Sequence, residues 1–185
     1  SRAAVVREAL RTVVADLHQR LRAGESAVEV VCVGCRLLED DPSFNAGTGS
    51  VIQSDGQIRM SAGIMDGERQ SFSGVINVSR IQNPIDVAAY LQDFPDRVVA
   101  SDGTSELVRE MQLPIHDPAT DKRLREWAKE KETGFKKDPA AVVAEEVETD
   151  RRNGTIGVVA LDSEGRIAAG TSTGGRGFER VERVS

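Results

Sequence analysis

Two threonines are the residues best placed to do chemistry. Thr155 opens the run Thr155-Ile156-Gly157-Val158-Val159-Ala160-Leu161-Asp162, and Thr173 closes the run Arg166-Ile167-Ala168-Ala169-Gly170-Thr171-Ser172-Thr173. Both runs read as strands. Ser163-Glu164-Gly165 between them reads as a three-residue hairpin loop, whose last residue takes left-handed backbone where glycine is cheapest. That loop pairs Asp162 with Arg166, and counting outward sets Thr155 opposite Thr173. Directly opposed residues in antiparallel strands point to one face, with Cα atoms about 4.5–5.5 Å apart. Turn chemistry alone therefore predicts two hydroxyls side by side at the strand ends.

Threonine is a poor nucleophile until a base takes its proton. An α-amino group, with a pKa of about 8, is such a base when threonine is the first residue of a chain. Thr155 would gain that amine if the Gly154–Thr155 bond were cut. Glycine before threonine leaves this bond uncrowded. A competing reading needs no chemistry, because Thr–Thr cross-strand pairs also occur as structural features of sheets.

The elements that must hold these residues follow from spacing. Val6, Leu10, Val13, Val14, Leu17 and Leu21 recur at helical intervals, and Gly24 ends that helix. Ser26 caps a second helix through Val28, Val31 and Leu38. Residues 49–53 and 57–64 read as strands about an Asp55-Gly56 hairpin turn. A strand is expected over 72–78, a helix starting at Asn83-Pro84, a short strand over 97–100 and a helix over 104–113. Residues 114–154 are dominated by Lys, Arg, Glu and Asp, with helices expected over 121–132 and 139–147. This composition reads as an exposed, mobile connection between a part spanning 1–113 and a part starting at 155.

The 185 residues suit one domain with a real core. A net charge of −6 and the lack of a basic cluster argue against nucleic acid and anionic membrane. No apolar run approaches the roughly 18 residues of a spanning helix. Cys32 and Cys35 have C-x-x-C spacing, but no second Cys or His pair completes a metal site. They read as buried helix cysteines that stay reduced, which fits a cytoplasmic protein.

Gly154-Thr155-Ile156-Gly157-Val158-Val159-Ala160-Leu161-Asp162, followed by Ala169-Gly170-Thr171-Ser172-Thr173-Gly174-Gly175, resembles the nucleophile region of the isoaspartyl peptidase/L-asparaginase family. Phe44-Asn45-Ala46-Gly47-Thr48-Gly49 and Gly63-Ile64-Met65-Asp66-Gly67 resemble its earlier motifs in the same order, as does the run from Val75 to Pro84. The resemblance covers about residues 25–113 and 153–185. It implies an α+β fold, a four-layer αββα sandwich, and autocatalytic cleavage between Gly154 and Thr155. It implies hydrolysis of asparagine or of β-aspartyl dipeptides by a homo-oligomer of cleaved αβ units, with no organic cofactor. By position, Thr155 is the nucleophile with its own amine as base, and Thr173 tunes it. The resemblance also implies that Arg183 grips the substrate carboxylate through its bidentate fork and that Asn45 lies close to the nucleophile. A structural sodium is implied on the backbone carbonyls of Leu38, Glu39, Asp41, Phe44, Ala46 and Thr48.

The family's opening strand and His-Gly-Gly-Ala-Gly loop have no match before Ser1. Ser61 stands where an aspartate is usual, and Glu182-Arg183-Val184-Ser185 replaces Gly-Arg-Val-Gly-Asp-Ser. The substrate-binding aspartate and the later Thr-Gly pair are likewise unmatched. The resemblance therefore describes a segment of a longer protein, incomplete at both ends. Two other functions compete with hydrolysis: a catalytically silent interaction domain of this fold, and a phosphate-binding module. The second follows from the glycine spacing in 170–175, although Arg176-Gly177 replaces the Lys-Ser/Thr of a P-loop.

Overall fold

The computed structural model describes residues 2–135 and 154–178. The expected helix over 139–147 lies outside the described residues.

The first two helices, α1 (Arg2–Arg22) and α2 (Ala27–Glu39), form a hairpin. Gly24 adopts a φ of +93° at the bend. Ser26 starts α2 through a full capping box: its hydroxyl accepts the Glu29 amide at 3.3 Å, and its own amide donates to the Glu29 carboxylate at 3.0 Å.

One sheet carries the strands β1 (Met60–Asp66), β2 (Ser71–Val78), β3 (Val98–Ala100), β4 (Ile156–Leu161) and β5 (Ile167–Thr173). Its order is β3-β2-β1-β5-β4, with β2 and β3 parallel and the other neighbours antiparallel. The later strand pair thus joins the earlier ones through β1 and β5. Helix α3 (Pro84–Tyr90), a 3-10 turn (Leu91–Asp93), α4 (Asp102–Glu110) and α5 (Asp121–Glu132) complete the order.

Strand alternation puts Ala62, Ile64, Val75, Ile156, Val158, Ala160 and Ala168 on one buried face. Helices α2 and α3 cover it with Val30, Val31, Cys35, Leu38, Ile85 and Ala88. The free thiols of Cys32 and Cys35 are buried here, and burial pushes the Cys32 thiol up to about 11 and Cys35 higher still. The opposite face carries exposed Met65, Phe72, Val159, Leu161 and Ile167, with Val159 at 70 %. Among the described residues, no helix is long and apolar enough to cross a membrane.

The approach of α2 to β5 depends on the missing side chain of Gly170. A Cβ there would lie 2.6 Å from Val31 Cγ1 and 3.0 Å from Cys35 Sγ. Gly170→Ala is therefore expected to destabilise the fold by about 1–3 kcal/mol through overpacking. Chemical denaturation would show this as a lowered midpoint.

Two expectations need correction. Residues 49–59 form no strand hairpin. The Asp55-Gly56 turn does form, with Gln53 donating to Gln57 O and Gly56 donating to Gln53 O. Its flanks spend other backbone groups on residues 118–127 instead of on each other. Asn83 occupies the N-cap position of α3 without capping it: its side-chain amide donates to Asp40 Oδ1 at 3.0 Å.

Candidate active site

The hairpin register is the one counted from the loop. Asp162 N donates to Arg166 O at 3.0 Å, and pairs run from Leu161↔Ile167 to Ile156↔Ser172. Gly165 closes the loop at φ +78°. One step beyond the last pair, Thr155 Oγ1 donates to Thr173 Oγ1 at 3.0 Å. Gly175 N donates to the same Thr173 oxygen at 3.2 Å. Thr155 is exposed on the open face of the sheet.

Asp162 ties this hairpin to α2. Its carboxylate accepts the Ala27 amide at 3.0 Å, the Glu164 and Arg166 amides at 3.0 Å each, and Arg166 Nε at 2.8 Å. Burial by itself raises the carboxyl pKa, but these donors outweigh it and hold Asp162 down to about 2. A depressed folded-state pKa stabilises above the unfolded value of about 3.9, and that contribution disappears as pH falls toward about 2. Acid unfolding followed by circular dichroism is expected to lose slope between those limits in Asp162→Asn.

Asn45 bonds through both its main chain and its side chain near Gly154. Its backbone N–H donates to Gly154 O at 3.3 Å, and its carbonyl accepts Gly174 N at 2.8 Å. Its side-chain amide donates to Gly175 O at 2.5 Å and accepts Val51 N at 3.0 Å. Gly174 fits because it has no side chain: a Cβ would lie 2.5 Å from Ser50 Cβ and 2.6 Å from Asn45 Oδ1. Asn45 thus lies beside the Gly154–Thr155 peptide, and its main chain rather than its side chain reaches the Gly154 carbonyl. A recess of about 380 Å³ adjoins Gly154 and Thr155, lined by Val6, Leu10, Leu38 and Phe44.

The sheet also aligns a residue not counted among the site candidates. Ser61 on β1 pairs with Thr173, so Thr155, Thr173 and Ser61 form one cross-strand row on the open face. No spacing in the sequence links Ser61 to the pair, because β1 joins β5 only through long-range pairing.

Beyond its carbonyl, Glu39 carries a fully buried side chain. Burial pushes its carboxyl up to about 8 despite the hydrogen bond that Oε1 accepts from Ile85 N at 3.1 Å. Its carbonyl accepts Thr48 N at 2.7 Å, closing the 39–48 loop. Asp41 Oδ1 accepts Ser43 N at 2.8 Å, and Asp41 O accepts Phe44 N at 3.1 Å. Asp66 Oδ1 accepts the amides of Glu68 and Arg69, a turn-stabilising role. Residues 170–173 lie within β5, so the glycine spacing there makes no phosphate loop. Arg183 lies outside the described residues.

Along residues 1–185 the chain matches the asparaginase family. It is 58% identical over 183 residues to an isoaspartyl peptidase/L-asparaginase of Synechocystis sp., covering 98% of this chain and 56% of that protein. A Nostoc sp. isoaspartyl peptidase/L-asparaginase is 56% identical, covering 97% of this chain and 58% of its own. A plant-type L-asparaginase of Pyrococcus abyssi is 36% identical, with 97% and 60% covered. The chain thus spans somewhat over half the length of the curated relatives it matches. With the family's motifs folded around Thr155 and its whole length matched, the chain belongs to the asparaginase family.

Proposed function

We propose that the full-length protein is an autoprocessing threonine amidohydrolase. It cuts itself between Gly154 and Thr155, then releases aspartate from asparagine, from β-aspartyl peptides, or from both. The observation that carries this is the 3.0 Å contact of Thr155 Oγ1 with Thr173 Oγ1, beside a Gly154 carbonyl held by the Asn45 amide. The similarity to isoaspartyl peptidase/L-asparaginases supports the substrate class.

In the cut, Thr155 Oγ attacks the Gly154 carbonyl carbon, and the acyl group moves from the Thr155 nitrogen to its oxygen. Water then hydrolyses this ester, leaving a Gly154 carboxylate and a free Thr155 amine. The Asn45 N–H faces the carbonyl oxygen where negative charge develops, a contribution of the oxyanion-hole kind. Thr173 accepts the Thr155 hydroxyl and so orients it. In the processed enzyme the Thr155 amine takes that proton, and Thr155 Oγ attacks the substrate side-chain carbonyl. Arg183 binds the substrate α-carboxylate in this scheme.

The finer architecture is a four-layer αββα sandwich, with a second sheet on the exposed face of Met65, Phe72, Val159, Leu161 and Ile167. So large an apolar sheet face wants cover, and the row of hydroxyls would then lie between the two sheets. The part up to Gly154, with 114–154 as its linker end, and the part from Thr155 onward become the two chains after cleavage, assembled as a dimer of cleaved units in the cytoplasm.

A structural sodium on the 38–48 loop is part of this reading. The ligands in this reading are the backbone carbonyl oxygens of Leu38, Glu39, Asp41, Phe44, Ala46 and Thr48, the donor type of hard cations. Glu39 O and Asp41 O each accept one amide and keep a second lone pair. Such an ion would brace the loop that carries Asn45 and supply no chemistry to the reaction. Mass spectrometry of the full-length protein tests the central reading. A new N-terminus at Thr155 is expected, whereas a permanently intact chain with no β-aspartyl hydrolysis would falsify it.

A further inference from the structure

The charged run after residue 113 is bonded into the scaffold of the site. Arg123 is buried at 8 % exposure and donates from Nε to Gly49 O at 2.8 Å. Its Nη1 meets Glu126 Oε2 at 2.8 Å. Gly49 N donates to Pro118 O at 2.9 Å, and His116 Nε2 lies 3.5 Å from Thr48 Oγ1. Trp127 Nε1 donates to Gln53 O at 2.9 Å, and its ring lies against Gly56, where a Cβ would sit 3.3 Å from Cζ2. Residues 116–127 therefore hold the stretch 48–56 at both ends.

That stretch has one task visible at the site. Val51 N donates to Asn45 Oδ1, and Ser50 packs on Gly174. Asn45 in turn contacts Gly154 O, Gly174 and Gly175. A continuous path of hydrogen bonds and backbone thus runs from α5 to the scissile peptide. Burying a guanidinium is costly unless its donors are met; in this docked position Nε of Arg123 is met by Gly49 O and Nη1 by Glu126, while Nη2 is buried without a partner among the described residues. The contacts also cross the cleavage point. The Trp127 ring lies tilted against Phe135 with centroids 6.3 Å apart, and Phe135 against Phe178 at 5.8 Å, with Phe178 N donating to Ile52 O.

We propose that α5 is a clasp, with Arg123 and Trp127 as positioning residues for cleavage at Gly154–Thr155. It acts through the 48–56 stretch on Asn45, and it stays docked after the cut. The proposal rests on the self-cleavage reading above. Small displacements of a reacting group cost much in rate, up to about 100-fold for 1 Å.

The test measures the rate of precursor cleavage in the full-length protein for Trp127→Phe and Arg123→Lys. The first removes one N–H donor and keeps a ring; the second keeps the charge and loses the planar fork. Val87→Ala, a fully buried α3 variant outside the path, serves as the stability control. Cleavage about tenfold slower in either clasp variant is expected, with Val87→Ala cutting near the wild-type rate. Clasp variants that cut as fast as wild type, or slow only as much as Val87→Ala at matched melting temperature, would overturn the clasp and leave the hydrolase reading intact. A wild-type protein never cut at Thr155 overturns both.

Discussion

Thr155→Ala in the full-length protein is expected to leave a single uncut chain and to lower amide hydrolysis by at least about 1,000-fold. Loss of a nucleophile typically costs this much or more, because the remaining groups can only bind and polarise. The substitution removes Oγ1 and its 3.0 Å contact with Thr173, and it touches no buried packing, since Thr155 is exposed. The fold should therefore survive, and the uncut chain should melt near the wild-type temperature. Thr155→Ser, which keeps a hydroxyl, should still cut. Intact mass and β-aspartyl hydrolysis, measured together, check both statements. An alanine variant that cuts normally would sink the assignment.

Thr173→Val is expected to lower kcat about 10–100-fold with little change in KM. Valine keeps the shape and the cross-strand packing of threonine, so the change is the loss of one oxygen. That oxygen accepts both Thr155 Oγ1 and Gly175 N. Hydrogen bonds to groups that carry charge are worth about 1.5–3 kcal/mol, and about 1.4 kcal/mol is tenfold in rate. The loss falls on kcat because the interaction orients the nucleophile rather than the substrate. Steady-state kinetics would show this split. A rise in KM with unchanged kcat would instead place Thr173 in substrate binding.

Much of the site was legible because its chemistry is local. A turn of defined length sets a register, and the strand period carries that register outward without outside help. The Ser26–Glu29 capping box and the Asp66 turn are likewise short-range, with all partners within three residues. The 49–59 stretch misled for the opposite reason. Its alternation and Asp55-Gly56 turn suit a hairpin, but Gly49 and Gln53 found partners on Pro118, Arg123 and Trp127. The charged composition of 114–135 suggested exposure, yet Arg123 is buried while its neighbours on α5 stay largely outside. Composition averages over a helix, whereas burial is decided residue by residue according to the face it presents.

By itself the sequence determined that Thr155 and Thr173 would meet. That pairing depends only on the two strands, the loop between them and the left-handed turn of Gly165. Tertiary structure alone decided what surrounds them. It brought the Asn45 amide to Gly154 O, set Ser61 in the same row through the β1–β5 pairing, and buried the Glu39 carboxyl beside Ser172. The physical reason is one of range. Backbone geometry propagates along a strand one residue at a time, but desolvation and cross-sheet neighbours exist only once distant segments have packed.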